Sequence, residues 1–140
     1  MAAKPVATGG ILHGTKFTLI FLTLEFISGM VINLLVVSKD DPGYALEPFY
    51  IKFASPVHEL LGTILLIGSI ALLYSAFKAG HTLYKKLAGL GLLFVLIAFA
   101  AGMATYKFEG YQSELASFVM SLGFIASFLS YGTLYLHLKK

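Results

Sequence analysis

Four apolar stretches of roughly 20 residues each dominate this chain, and they decide what solvent it folds in. Each is long enough to cross a hydrocarbon core of about 30 Å at 1.5 Å per residue. Hydrophobic residues make up 58% of the 140 residues and charged residues 12%, about half the charged share of a soluble domain. The expected class is all-α: one integral-membrane domain over residues 1–140, with spans at about 17–38, 57–77, 87–106 and 115–136. Short connectors make consecutive spans antiparallel. The economical arrangement is an up-down-up-down four-helix bundle in the bilayer.

Charge asymmetry sets the expected orientation. Lys4, Lys16, Lys78, Lys85, Lys86, Lys139 and Lys140 fall in the N-terminal segment, the 78–86 connector and the C-terminus, with no acid among them. The connectors 39–59 and 107–114 hold the other three lysines together with Asp40, Asp41, Glu47, Glu59, Glu109 and Glu114. The positive-inside rule then puts both termini in the cytoplasm, N-in and C-in, in what reads as a prokaryotic plasma membrane. Residues 1–16 lack the apolar core and cleavage site of a signal peptide. The absence of cysteine excludes disulfides, thiolate metal sites and iron–sulfur clusters. The net charge of +3 is too small, and too tied to orientation, to suggest nucleic acid. Pro56 suits the first turn of span two, with Ser55 as its expected N-cap.

Lipid tails are as apolar as leucine, so helix association must come from close approach at small residues. Span three offers Ala88, Gly91, Ala98, Gly102 and Thr105 on one seam. Span two offers His58, Gly62, Leu65, Ser69 and Leu72. Span four offers Ser113, Ser117, Met120, Phe124, Ser127 and Tyr131, and span one carries Glu25, Ser28, Gly29 and Asn33 along one face. These stripes are expected to face inward.

Chemistry concentrates in few places. Glu25 is the one formally charged side chain deep in a span, about 12 Å from the start of span one at residue 17, where a charge costs at least about 2.5–3.5 kcal/mol. Such a residue is a functional candidate, and equally a protonated group serving as interhelical glue. Asn33, two turns on, reads first as an interhelical hydrogen-bonding group. His58 stands at the mouth of span two, with Gly62 one turn deeper on the same face making room for something flat. Met120 lies on an inward seam of span four at a similar depth. An imidazole and a thioether facing each other across a bundle are a known axial pair for haem iron, although a methionine in an apolar helix is more often filler. Lys52 and Lys107, at the outer boundary, suit haem propionates. His13, His81 and His137 read as solvated residues at the cytoplasmic boundary.

The segment Val57-His58-Glu59-Leu60-Leu61-Gly62, followed by a span, a basic connector and a Gly-rich third span, resembles the four-helix half-unit of haem A synthase-like and other b-type membrane cytochromes. That resemblance implies a haem b held between helices. Those families commonly add a histidine on the fourth helix, where this chain has Phe118, Val119 and Met120, so only His/Met ligation fits here. Gly29-Met30-Val31-Ile32-Asn33-Leu34, the His58 segment and the stretch from Ser117 to Phe124 also resemble a loose group of small four-span proteins of bacteria and archaea, which brings no function with it.

Three functions follow as expectations. The first is a haem-binding electron-transfer protein using His58 and Met120. The second is a non-catalytic accessory subunit of a larger membrane complex. The expected partners are the lipid bilayer and either other membrane proteins or further copies of the chain in a homo-oligomer. The third is a small transporter or channel using Glu25. No phosphate loop, nucleophile elbow or metal-ligand array is present in the sequence, so whether the chain is an enzyme stays open.

Overall fold

The apolar stretches fold as four helices: α1 (Pro5–Leu35), α2 (Ser55–Ala79), α3 (Thr82–Thr105) and α4 (Tyr111–Leu138). The computed structural model describes residues 5–35, 53–105 and 111–139. Among these residues there is no strand. All four helices are long and apolar enough to cross a membrane, over Gly9–Ile32, Ser55–Ala79, Thr82–Ala104 and Leu115–Leu138.

The helices are longer than the apolar stretches alone suggest. α1 begins at Pro5, well before residue 17, so Lys16 lies within the helix rather than ahead of it. Its side chain is exposed, and a long aliphatic stem can carry the ammonium towards water from there. Most of the expected 78–86 connector is also helical: only Gly80 and His81 separate α2 from α3. Gly80 makes this possible, since its φ of 77° is a left-handed conformation that L side chains resist. Its N–H donates to the Phe77 carbonyl at 3.2 Å. At the other end of α2, Ser55 is not the N-cap. Ala54 holds that place in right-handed helical conformation, without a side-chain cap, and the Ser55 hydroxyl donates to Glu59 Oε1 at 3.0 Å.

Each helix packs chiefly against its neighbours in sequence, and α4 closes the ring against α1. The glycine contacts fix the register. A β-carbon on Gly14 would come 3.3 Å from Leu72, and one on Gly29 would come 3.3 Å from the His58 ring, so α1 and α2 are antiparallel. Tyr131 lies directly on Gly91, and the Met120 sulfur would sit 3.3 Å from a β-carbon on Gly102, so α3 and α4 are antiparallel too. The Phe26 and Phe124 rings meet at 6.3 Å between α1 and α4. The bundle therefore has one end at Gly80 and another at Ser55.

The core is narrow. Ile11, Leu22, Leu65, Leu72, Ala76, Ala88, Val95, Tyr131 and Leu134 form its buried apolar cluster. The long side chains outside it, such as Ile20, Leu60, Ile67, Leu93 and Leu129, are exposed, as expected of faces turned to lipid. Small residues let the backbones approach, as the seams predict: Gly91 and Ala98 are buried on α3, and Ser69 on α2. Lysines cluster with aromatic rings near the Gly80 end, with Lys78 over Tyr74 at 4.6 Å and Lys139 over Tyr135 at 5.0 Å.

Gly91→Ala is expected to lower the thermal midpoint in detergent, costing about 1–3 kcal/mol, because the new methyl overlaps the Tyr131 ring and overpacking forces a backbone shift. Gly132→Ala, where nothing lies within 4 Å of the added carbon, should be neutral or stabilising, since alanine is the better helix former. Equal midpoints for the two variants would contradict the packing of α4 on α3.

Candidate functional site

Two helices bring a polar group and a glycine to each other in reciprocal order. On α1 Glu25 is followed four residues later by Gly29; on α2 His58 is followed four residues later by Gly62. Residues four apart share a helix face. Antiparallel packing then sets Glu25 opposite Gly62 and His58 opposite Gly29. A β-carbon on Gly62 would lie 2.9 Å from Glu25 Oε1, and one on Gly29 3.3 Å from His58 Cε1. Neither glycine can take a side chain without moving the polar group it faces.

The two polar groups meet. His58 Nδ1 lies 3.3 Å from Glu25 Oε1 and 2.8 Å from the Ser28 hydroxyl oxygen. Ser28 donates to the Glu25 backbone carbonyl at 2.8 Å, with Glu25 Oε2 at 3.5 Å as a weaker contact. A proton count assigns the roles. Ser28 has a single proton, and the Glu25 carbonyl can only accept it. The 2.8 Å contact between Ser28 and His58 then requires the proton to sit on Nδ1. That N–H is shared between the Ser28 oxygen and Glu25 Oε1, and in the neutral ring Nε2 is left with the lone pair.

Charge bookkeeping explains how such a cluster survives in an apolar span. A carboxyl with its proton beside a neutral imidazole holds the same number of protons as a carboxylate beside an imidazolium. The pair is electrically neutral either way, so the cost of an isolated charge in hydrocarbon is avoided in both forms. With Nδ1 already protonated, the imidazolium carries its second proton on Nε2, so the two forms interconvert by a proton gained at Nε2 and one lost from the Glu25 carboxyl. The Glu25 side chain keeps 7% of its surface exposed against 19% for His58.

The remaining expected site residues separate from this cluster. Met120 is half-buried and turns its sulfur to Gly102 of α3, whereas the His58 ring lies against α1. The two are engaged with different neighbours. The space at Gly62, expected to receive a flat group, is taken by the Glu25 carboxyl. Asn33 lies on α1, but its side chain is outside the described residues, as are Lys52 and Lys107. His13, His81 and His137 are exposed, as expected. His13 Nδ1 donates to the Gly9 carbonyl at 2.8 Å, and His81 stacks on Tyr84 at 4.3 Å. Among the described residues no group of three or more His, Cys, Asp or Glu is placed to hold a metal ion.

Ser28 is the member that sequence reasoning placed on the right face without giving it a role. The signal was available: Glu25-x-x-Ser28-Gly29 against His58-x-x-x-Gly62 is a complementary pattern once the helices are taken as antiparallel.

Comparison with protein-family models, with curated proteins and with solved structures finds no match.

Gly62→Val should drive the Glu25 carboxyl off its seat and break its contact with His58. The nitrogen-15 shift of His58 Nδ1, read by solid-state NMR in lipid, is expected to move towards that of a ring with one hydrogen bond fewer. An unchanged shift would mean that the carboxyl does not hold the imidazole.

Proposed function

We propose that this chain is a small four-span membrane protein that handles protons at the Glu25–His58 pair, as a proton-coupled transporter or proton-conducting subunit. The observation that carries this reading is the direct approach of a carboxyl and an imidazole from two different helices inside apolar spans. Ionisable residues in such positions are costly to keep and characteristically belong to ion pathways and proton relays. The neutral pair offers what a relay needs: a group that takes a proton from the bundle end through His58, and one that passes it inward through Glu25. Ser28 fixes the tautomer, so the Nε2 lone pair of the neutral ring is the acceptor for a proton arriving from outside the pair.

The lysine asymmetry supports an orientation with both termini in the cytoplasm. The Ser55 end, with His58, then faces the outer side of a plasma membrane, and the basic Gly80 end faces inward. Protons enter from the outer side.

A haem-binding electron carrier is the second reading, and one feature of the cluster favours it. Histidines that ligate metals commonly give their other ring N–H to a carboxylate or another acceptor, which orients the ring and strengthens the ligand. His58 Nδ1 is held in this way by Glu25 and Ser28, leaving Nε2 as the ligating atom. Met120 as second ligand requires its sulfur to leave Gly102. Proton handling leads because it uses Glu25, His58 and Ser28 where they stand.

Purified protein in liposomes should dissipate an imposed proton gradient, alone or with a co-transported solute. Glu25→Gln, which keeps the shape and removes the titratable proton, is expected to lower that flux at least about tenfold, the scale of losing one relay group. Equal flux in the two proteins contradicts the proposal. A visible spectrum of protein from haem-replete cells decides the second reading. A Soret band that shifts on reduction and is lost in His58→Ala supports it, and a flat spectrum removes it.

A further inference from the structure

The buried hydroxyls of the bundle divide into two kinds. Thr15, Thr18, Ser127 and Ser130 are all buried, and each donates to the carbonyl four residues earlier on its own helix, at 2.7–2.9 Å. This is the usual way for a hydroxyl to remain inside an apolar helix bundle. Ser69 of α2 and Tyr131 of α4 do not follow it. Both are fully buried at 0% exposure, and neither hydroxyl has a hydrogen-bond partner.

The two orphans belong to one place. The Tyr131 hydroxyl has Ser69 as its polar neighbour, although the two do not meet with hydrogen-bond geometry. Phe17 packs on Gly68 and Gly14 on Leu72, which brings Thr18 to the height of Ser69. Gly91 receives the Tyr131 ring from the α3 side. Three helices thus bring hydroxyls to one level near the middle of the bundle, while the fourth supplies the floor. A hydroxyl buried without a partner is costly, and here two such costs fall together. A water molecule needs two to four polar partners to be held in a protein interior. Ser69 Oγ, Tyr131 Oη and the lone pairs of Thr18 Oγ1 supply that number.

We propose that Ser69 and Tyr131, with Thr18, bind an internal water at mid-bundle, and that this water is the second station of the proton route beginning at His58 and Glu25. The second part rests on the proton reading of Glu25. Thr18 lies about 10 Å along α1 from Glu25, and between the two levels stand Leu22, Leu65 and Val95, each nearly fully buried. This apolar layer closes the route in the conformation described, and opening it links the stations. At the second station the water accepts one proton and releases another, and the hydroxyls do the same, so no charge is left in the span after each passage.

Two measurements on the full chain in lipid decide the two parts separately. Infrared difference spectra between ordinary and heavy-oxygen water should show an O–H stretching band of a tightly held internal water, lost in Ser69→Ala and in Tyr131→Phe. No isotope-sensitive band, or one that survives both substitutions, overturns the water site. So does a Tyr131 C–O band that shifts in Ser69→Ala without isotope sensitivity, because the two hydroxyls then bond directly. Proton flux in liposomes should fall about tenfold in Tyr131→Phe, as in Glu25→Gln. Flux lowered by Glu25→Gln but untouched by Tyr131→Phe and Ser69→Ala removes the second station and leaves the Glu25–His58 reading intact. Flux unaffected by Glu25→Gln removes the route, and the infrared band still decides the water site. Both variants keep their apolar bulk, and the monodispersity of each preparation confirms that the bundle is formed.

Discussion

The reciprocal seating of Glu25 on Gly62 and of His58 on Gly29 is the constraint on which the Ser55 end of the bundle depends. In lipid there is no hydrophobic force between helices, so α1 and α2 must be joined by close packing and by hydrogen bonds. The two glycines supply the first and the Glu25–Ser28–His58 cluster the second. Neither works without the other. A side chain at either glycine holds the backbones apart, and without the Glu25–Ser28–His58 cluster the polar groups of the two helices lose their partners across the interface. This mutual dependence also fixes the axial register of the two helices: sliding by one turn would face Glu25 with Leu65 or Leu66 in one direction, and in the other would bring the His58 or Glu59 side chain to the place where Gly62 makes room for the carboxyl.

Below this level the bundle changes character. The layer of Leu22, Leu65 and Val95 is apolar and nearly fully buried, and the hydroxyl level of Thr18, Ser69 and Tyr131 follows it. Polar and apolar layers thus alternate along the bundle axis. On the proposed proton route, such an arrangement would hold protons or water at defined heights and separate those heights by a barrier. A small shift between helices lowers the barrier without unfolding anything.

Much of this was legible in the sequence. The four helices follow from apolar runs of bilayer length, and the inward seams follow from small residues at helical spacing. The face shared by His58 and Gly62 was legible for the same reason. The helix ends were not. Lys16 and the paired Lys85 and Lys86 look like connector residues because they are charged, yet the helix continues through them, since lysine is a good helix former with a flexible stem. The role of Met120 depends on which helix it faces, and spacing within α4 does not say that it meets Gly102. The orphaned state of Ser69 could not be read from sequence at all. It has the same chance as Ser127 of bonding its own backbone, and only the packed geometry shows that it does not.

The proton pair depends on one contact, and that contact can be measured without any assay of function. With carbon-13 in the Glu25 carboxyl and nitrogen-15 in the His58 ring, dipolar recoupling in lipid bilayers reports their separation directly. The structure, with Glu25 Oε1 and His58 Nδ1 at 3.3 Å, predicts rapid dephasing of the carboxyl carbon by Nδ1, stronger than by Nε2. A coupling too weak to detect would mean that the two groups do not meet in the membrane, and the proton pair would not exist.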